Sequence, residues 1–195
     1  LADQGLSHVA GQTLARQLDD KDLRGVLVLS DGLTVNGSEL ARGFVQVLTD
    51  RVPVTGGLAG DGDRFARTWV ANGDSARPHR VTAVGFYGDH LSFRHGSKGG
   101  WDPFGPERRI TRSKGNVLYE LDRQPALTLY RTYLGDRAAG LPATALLFPL
   151  AIRNDRNSER RLVRTILGID DRELSMTFAG DVPEGSYAQL MGANF

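Results

Sequence analysis

The first fifty residues carry three hydrophobic patterns in succession, which predict a helix, a strand and a second helix. Residues 7–19 have apolar side chains at helical spacing, with Ser7 as a candidate N-cap. The apolar face of this predicted helix is Leu6, Val9, Ala10, Leu14 and Leu18. The uninterrupted run GVLVLS at residues 25–30 is typical of a central strand that is buried on both faces. A second helix is predicted from Ser38, with the apolar face Leu40, Phe44, Val45 and Leu48.

Beyond residue 50 the pattern changes to short strands. They are predicted over residues 52–55, 67–71, 80–87, 91–94, 109–111 and 117–121. Gly88 and Asp89 separate two of these strands, as a two-residue hairpin with glycine first requires, so antiparallel pairing is expected. Pro125 is predicted to begin a helix that ends at Gly135. The inward side chains of that helix are Leu129, Tyr130 and Tyr133.

The segment DRAAGLPAT at residues 136–144 is rich in turn formers, and it is predicted to be a linker between residues 1–135 and 145–195. Further strands are predicted over residues 145–152, 162–167, 173–179 and 187–190. Asp170 and Asp171 form the expected turn before a strand with Leu174, Met176 and Phe178 on one face. The order of elements favours an α/β (α+β) fold, a layered sandwich with a mixed, largely antiparallel sheet and helices packed outside.

Composition narrows the functional classes. The 195 residues include 40% hydrophobic and 24% charged residues, as in globular domains, and no cysteine. The absence of cysteine excludes disulfides, thiolate metal sites and a cysteine nucleophile. No apolar run approaches the roughly 20 residues of a membrane span. We therefore expect a cytoplasmic protein with no membrane partner. The sequence has no initiator methionine, and nothing after residue 190 closes a domain, so we expect the natural protein to extend further.

A basic cluster is the one sign of a nucleic-acid partner. It consists of Arg94, His95, Lys98, Arg108, Arg109, Arg112 and Lys114. Such a cluster could attract an anion or nucleic acid, but a solvated strand face is the favoured interpretation. Interleaved aromatic residues are too few for a base-stacking platform, so no nucleic-acid partner is expected.

The densest glycine cluster is GGLAGDGD at residues 56–63, directly after a predicted strand. Glycines at 56, 57 and 60 would let backbone amides approach an anionic ligand closely. The alternative is a tight crossover between strands that needs positive φ angles. The pattern is neither a P-loop nor a dinucleotide-binding fingerprint, because no Gly-Lys-Ser/Thr follows and the next segment is strand-like.

Two other loops carry candidate ligand contacts. Asp31 and Asn36 follow the predicted central strand, where ligands commonly bind, although ordinary helix entry explains them equally well. Trp101 lies among turn formers in GGWDPFG, residues 99–105, where it could cover a flat ligand or simply anchor the loop.

The histidines and carboxylates show no catalytic or metal-binding spacing. The four histidines are His8, His79, His90 and His95. A lone histidine can hold a haem iron, and His95 or His90 is then the candidate. Asp61 and Asp63 could serve acid–base chemistry, but no pattern distinguishes them. No metal, cofactor or catalytic residue is therefore expected, with haem as the alternative cofactor.

Five motifs in order resemble the FIST domain. They are SDGLxxNG at 30–37, GGLAGD at 56–61, FxxT at 65–68, GWxPxG at 100–105 and ITRSKGNVLYELDRQPAL at 110–127. Residues 163–190, with VPEG at 182–185, are similar to the start of the companion C-terminal FIST region. The resemblance implies an N-terminal FIST region over residues 1–135 and a C-terminal region from residue 145.

The resemblance to FIST domains implies an intracellular sensory domain of bacterial signal transduction. The ligands proposed for this family are small molecules such as amino acids, and its output partners are kinases, cyclases or chemotaxis modules. Some relatives bind haem and sense nitric oxide, so haem is the alternative ligand. The family implies no catalytic triad.

Three hypotheses follow from the sequence. The first is a binding module in which amides of Gly56, Gly57 and Gly60 hold an anionic group. In it, Asp31, Asn36 and Asp61 bond an amine or hydroxyl, and Trp101 covers the ligand. The second is a haem sensor. The third is a hydrolase that uses Asp61 with a metal or water.

Overall fold

The chain folds into two compact units. The computed structural model describes residues 4–96, 98–158 and 161–193. The units are Leu1–Ser97 and Lys98–Phe195. Within the described residues, no helix is both long enough and apolar enough to cross a membrane.

The first unit combines two helices with a small mixed sheet. Its elements are α1 (Gln4–Leu18), β1 (Leu23–Ser30), α2 (Gly37–Leu48), β2 (Val54–Leu58), β3 (Val70–Asn72), β4 (Ser75–Arg77) and β5 (Val81–Tyr87). The central strand β1 pairs with β2 in parallel and with β5 in the antiparallel sense. Strands β3 and β4 form a separate two-stranded hairpin.

The helices cover one face of β1. Val26, Val28 and Phe44 belong to the same buried cluster, because alternate residues of a strand point to the same face. Leu29 of β1 and Val84 of β5, which pairs with Leu27, point the other way, and each is 48% exposed. The prediction that residues 25–30 are buried on both faces was therefore wrong, since the helices of this unit lie on one side only.

The two helices meet through small residues. The buried positions of α1 are Ser7, Gly11 and Ala15, whereas Leu6 and Val9 of its predicted apolar face are exposed. A Cβ on Gly11 would lie 2.3 Å from the carbonyl oxygen of Leu40. The close approach of the two backbones, rather than large apolar side chains, decides which face of α1 is inward.

The predicted N-caps of the helices were also wrong. Helix α1 already includes Ser7, whose Oγ accepts a hydrogen bond from the backbone amide of Asn36 at 3.1 Å. Asn36, not Ser38, caps α2. On α2 the predicted inward residue Val45 is 47% exposed, while Gly43 is buried against α1.

The hairpin predicted at Gly88 and Asp89 does not form. Residues 91–96 after that turn form no strand in the described part of the chain. Phe93 instead packs its ring over Gly25 and lies 5.2 Å from the ring of Phe86. Aromatic packing on the sheet therefore replaces the strand that the apolar pattern predicted at residues 91–94.

The second unit is an antiparallel sheet with one helix. Its elements are β6 (Trp101–Lys114), β7 (Val117–Leu121), β8 (Gln124–Pro125), α3 (Ala126–Leu134), β9 (Leu150–Arg153), β10 (Leu162–Arg164), β11 (Ile166–Asp170), β12 (Ser175–Phe178) and β13 (Tyr187–Ala193). The strand order is β10-β9-β13-β6-β7-β12-β11, with β8 beside β7. Residues 136–144, the predicted linker, lie inside this unit, mostly in the 3-10 helices Gly135–Gly140 and Ala143–Leu146.

The long strand β6 contains residues 101–105, most of the segment 99–105 that was predicted to be a loop. Trp101 pairs with Ala193, and Pro103 pairs with Met191. The loop prediction for residues 99–105 was wrong beyond residue 100, because β13 supplies a partner that lies ninety residues away in the chain.

Several predictions for the second unit are confirmed. Gly135 ends α3 with φ 57°, and Tyr130 is buried. The Asp170 carboxylate accepts the amides of Arg172 and Glu173, which forms the turn between β11 and β12. The α+β class, with helices outside mixed and antiparallel sheets, is confirmed as well.

Candidate functional site

The carboxyl ends of β1 and β2 lie side by side because the two strands are parallel. Ser30 is opposite Leu58, and the amide of Ala59 donates to the carbonyl of Ser30 at 2.8 Å. The start of β5 reaches the same edge, where the amide of Asp31 donates to the carbonyl of Arg80 at 2.8 Å. Loops at such an edge commonly bind ligands.

Asp31 joins three segments at this edge. Its Oδ1 accepts bonds from the amide of Leu33 at 3.0 Å and from the amide and hydroxyl of Thr34, both at 2.8 Å. Its Oδ2 accepts the Thr68 hydroxyl at 2.7 Å and the His79 amide at 3.2 Å. Burial raises the pKa of this carboxyl, but the hydrogen bonds from Thr68, Thr34 and His79 outweigh it and lower the pKa to about 2.

Thr68 and Gly32 complete the junction. The Thr68 hydroxyl, which donates to Asp31, also accepts the amide of Gly32 at 3.1 Å. A Cβ on Gly32 would lie 1.9 Å from the carbonyl oxygen of Ala59, so the two loops touch where only glycine fits. The loops that begin at residues 31 and 59 are thereby fixed to one another.

Asn36 holds the start of α2. Its side chain is fully buried, and its Oδ1 accepts the amides of Ser38 at 3.0 Å and Glu39 at 3.3 Å. Asp31 and Asn36 thus already bind donors of the chain itself. Their direct contact with a ligand stays a prediction.

The predicted glycines fall into two groups. Gly56 and Gly57 belong to β2, and they line an apolar groove of about 180 Å³ beside Leu40 and Phe44 of α2. A Cβ on Gly56 would lie 1.9 Å from the Val28 carbonyl oxygen, so strand pairing requires this glycine. Gly56 is therefore required for the close contact of β2 with β1, and not for a positive φ angle.

Gly60 and Asp61 line a different cleft, of about 370 Å³. Its other lining residues are Arg64, Ala66, Arg67, Thr68 and Trp69. Asp61 Oδ2 accepts the amides of Ala66 at 2.8 Å and Arg67 at 2.9 Å. These two amides hold the pKa of the Asp61 carboxyl below its ordinary value, so the cleft contains a carboxylate at neutral pH.

The sequence interpretation missed the cationic and aromatic side of this cleft. The guanidinium carbon of Arg67 lies 5.7 Å from the centre of the Trp69 ring, and Trp69 is 54% exposed. Residues 67–71 were assigned to a strand, yet β3 begins only at Val70. The positions of Arg64, Arg67 and Trp69, directly after the glycine cluster in the sequence, were the signal that could have indicated this side of the cleft.

Trp101, the predicted cover of the ligand, lies in β6 of the second unit. A Cβ on Gly99 would lie 2.6 Å from the Trp101 ring, so this ring packs on its own preceding segment. The second unit also has a cleft of about 820 Å³, lined by charged residues that include Arg109, Arg123 and Glu184. A ligand contact of Trp101 stays a prediction.

The expected absence of a cofactor and the haem alternative both stay predictions. Among the described residues, no group of three or more His, Cys, Asp or Glu side chains converges as metal ligands would. His90 and His95 are both exposed.

Family models match almost the whole chain. The FIST N domain matches residues 2–124, and the FIST C domain matches residues 126–195. The chain belongs to the FIST family. No curated protein and no solved structure matches it. The two FIST matches meet near residue 125, while the predicted division into 1–135, 136–144 and 145–195 stays a prediction.

Membership of the FIST family defines the coarse function. FIST domains are sensory domains of signal transduction that bind small ligands. They are sensory and ligand-binding rather than catalytic. The cleft at Asp61 lies within the FIST N match, next to the fixed edge of the mixed sheet.

Proposed function

We propose that this chain is a cytoplasmic sensory domain that binds a small polar metabolite, foremost an amino acid, in the cleft beside Asp61. The observation that carries the proposal is the meeting of one carboxylate and two guanidinium groups in a cleft of about 370 Å³ within the FIST N region. This volume is within the range of about 300–1,000 Å³ typical of small-ligand sites.

The Asp31 junction supports the proposal in a structural role. Because Asp31 and Thr68 hold the loops at 31 and 59 together, the cleft walls need little ordering when a ligand binds. The space next to the backbone of Gly60 is open to a ligand, since a Cβ at this position would meet no atom within 4 Å. Occupancy of the cleft is the signal that a kinase or cyclase partner would detect.

A thermal-shift screen of the twenty common amino acids, followed by calorimetry, tests the proposal. A ligand at 100 times its Kd should stabilise the folded state by about 2.7 kcal/mol. Asp61→Asn should weaken the binding of an amino acid, while Asp74→Asn, on an exposed turn, should not. If no amino acid raises the melting temperature of the chain, an amino-acid ligand is excluded.

The haem alternative rests on the family resemblance alone. Titration with haemin tests it, since a haem protein develops a Soret band that is lost when His90 or His95 is replaced. A protein that stays colourless overturns the alternative. The hydrolase alternative, in which Asp61 acts with a metal or water, is tested by an activity assay. It predicts metal-dependent turnover that Asp61→Asn abolishes.

A further inference from the structure

The side chains around the cleft at Asp61 differ in charge and shape in a way that restricts the ligand. One carboxylate, two guanidinium groups and one exposed indole ring line it. We propose that the cleft selects an α-amino acid with an aromatic side chain, and that Arg64, Arg67 and Trp69 recognise it together with Asp61. This inference rests on the proposed function and names the ligand class of the same site.

The two arginines are available for an anion. In the described part of the chain, no acceptor takes a hydrogen bond from the guanidinium group of Arg64 or Arg67, and neither group forms an ion pair there. Both side chains are exposed at the cleft. A guanidinium group presents parallel N–H donors that match the two oxygens of a carboxylate. These donors therefore suit the α-carboxylate of an amino acid.

Asp61 is positioned for the ammonium group. Its Oδ2 holds the amides of Ala66 and Arg67, whereas its Oδ1 accepts no hydrogen bond from another residue in the described ranges. The amide of Arg67 thus ties the carboxylate of Asp61 to the residue that carries one of the guanidinium groups. Arg64 also acts electrostatically on the Asp61 carboxylate, so opposite charges line one cleft, as an α-amino acid with its ammonium and carboxylate requires.

Trp69 supplies the selectivity for a ring. It remains 54% exposed although it follows the buried residue Thr68, and the guanidinium group of Arg67 stacks over it. This cation–π contact brings the cation and the ring together at the cleft, where both remain exposed. A second aromatic ring can pack against the exposed indole surface in an offset or edge-to-face arrangement.

Calorimetry of the full chain with four probes tests this inference. L-phenylalanine and L-tryptophan carry all three features, L-alanine lacks the ring, and phenylacetate lacks the ammonium group. We expect both aromatic amino acids to bind at least about ten-fold more tightly than L-alanine or phenylacetate. L-alanine leaves the Trp69 ring without a partner, and phenylacetate leaves the Asp61 carboxylate without one.

Variants separate recognition from folding. Arg67→Gln and Arg64→Gln should each reduce the affinity for L-phenylalanine about ten-fold, and Arg67→Lys should restore only part of it, because lysine lacks the planar donors. Trp69→Ala should lower the affinity for L-phenylalanine several-fold and leave that for L-alanine unchanged. Arg16→Gln on the exposed face of α1 changes the net charge equally and should have no effect. All four substituted positions are exposed, so circular dichroism should report unchanged folding.

The outcomes distinguish this inference from the proposed function. Binding of L-alanine as tight as that of L-phenylalanine overturns the aromatic selectivity, and equal effects of Arg16→Gln and Arg67→Gln overturn the role of Arg67. Either result leaves an amino-acid sensor standing. Absence of binding by every amino acid overturns both.

Discussion

At the scale of single residues, Asp31 shows how one carboxylate organises the edge of the sheet. It accepts five hydrogen bonds from four residues, and two of these lie 37 and 48 positions further along the chain. The sequence identified Asp31 and Asn36 as polar residues at a strand end. It could not show that Oδ2 of Asp31 is already occupied, because its donors Thr68 and His79 are adjacent to Asp31 only in the folded chain.

The lowered pKa of Asp31 makes stability depend on pH in acid. The ionised form is favoured in the folded state, so its contribution is present above the ordinary pKa of 3.8 and is lost as pH falls towards 2. The difference corresponds to about 2 kcal/mol of unfolding free energy. Asp31→Asn should therefore be less stable than the native chain by about 2–3 kcal/mol at pH 7, with a smaller gap near pH 3.

Urea denaturation followed by circular dichroism at pH 7, 4 and 3 measures this gap. Asp74→Asn serves as the control, because Asp74 is exposed, and it should shift stability by less than about 0.5 kcal/mol. A gap that stays constant across the three pH values would contradict the assigned role of the Asp31 carboxylate.

Thr68 offers a matched pair of substitutions. Thr68→Val keeps the shape of the side chain but removes the hydroxyl, which leaves the amide of Gly32 without its acceptor and removes one of the two donors to Oδ2 of Asp31. Each lost partner costs about 1–3 kcal/mol when buried, whereas Thr68→Ser loses one methyl group, or about 1 kcal/mol. Equilibrium denaturation should rank native, Thr68→Ser and Thr68→Val in falling order. An equal cost for both variants would show that the hydroxyl is not what joins the loops.

At the scale of elements, the contact between α1 and α2 depends on glycine. A Cβ on Gly43 would lie 2.2 Å from the carbonyl oxygen of His8, which is backbone and cannot turn away. The periodicity of apolar residues predicted both helices and most of the inward face of α2. The same periodicity wrongly predicted that Leu6 and Val9 of α1 face inward, because a pattern of large apolar residues does not detect a helix contact made by small residues.

Gly43→Ala is expected to destabilise the chain although alanine is the better helix former. Helix propensity alone would stabilise α2 by about 0.5–1 kcal/mol. The steric conflict with α1 should outweigh this and produce a net loss, measured as a lower urea midpoint. Ala41→Gly at an exposed position of the same helix isolates the propensity effect and should cost about 1 kcal/mol. A stabilised Gly43→Ala would contradict the close contact of the helices.

At the scale of the whole molecule, each compact unit has a hydrophobic core of its own. One core is built around Phe44 in residues 4–96, and the other contains Met176 and Phe178 in the second unit. Local stability can differ between such units. The FIST N match ends at residue 124, well inside the second unit, so family regions and compact units do not coincide.

Phe44→Ala should act mainly on the first unit. Removal of this fully buried ring costs about 3–5 kcal/mol. Hydrogen exchange followed by mass spectrometry should show faster exchange across residues 4–96 and a smaller change across residues 98–158. Met176→Ala is the matched change in the other core, and it should reverse this pattern. Equal loss of protection everywhere in both variants would indicate a single cooperative unit instead.

The sequence by itself determined the family, the α+β class and the elements whose signals are local. Periodicity predicted α2 and β7, and the glycine at the end of α3 and the aspartate turn before β12 were read from adjacent residues. These features are decided by interactions within one turn or one strand, so a single stretch of chain contains the information.

Only the tertiary structure decided which polar groups meet. In the folded chain Asp31 is hydrogen-bonded to Thr68 and His79, and Trp101 lies in β6, paired with Ala193, rather than in a loop. Such arrangements depend on how strands pair and how loops fold back on the sheet edge. Those contacts join residues far apart in the chain, and no local pattern of hydrophobic and polar positions encodes them.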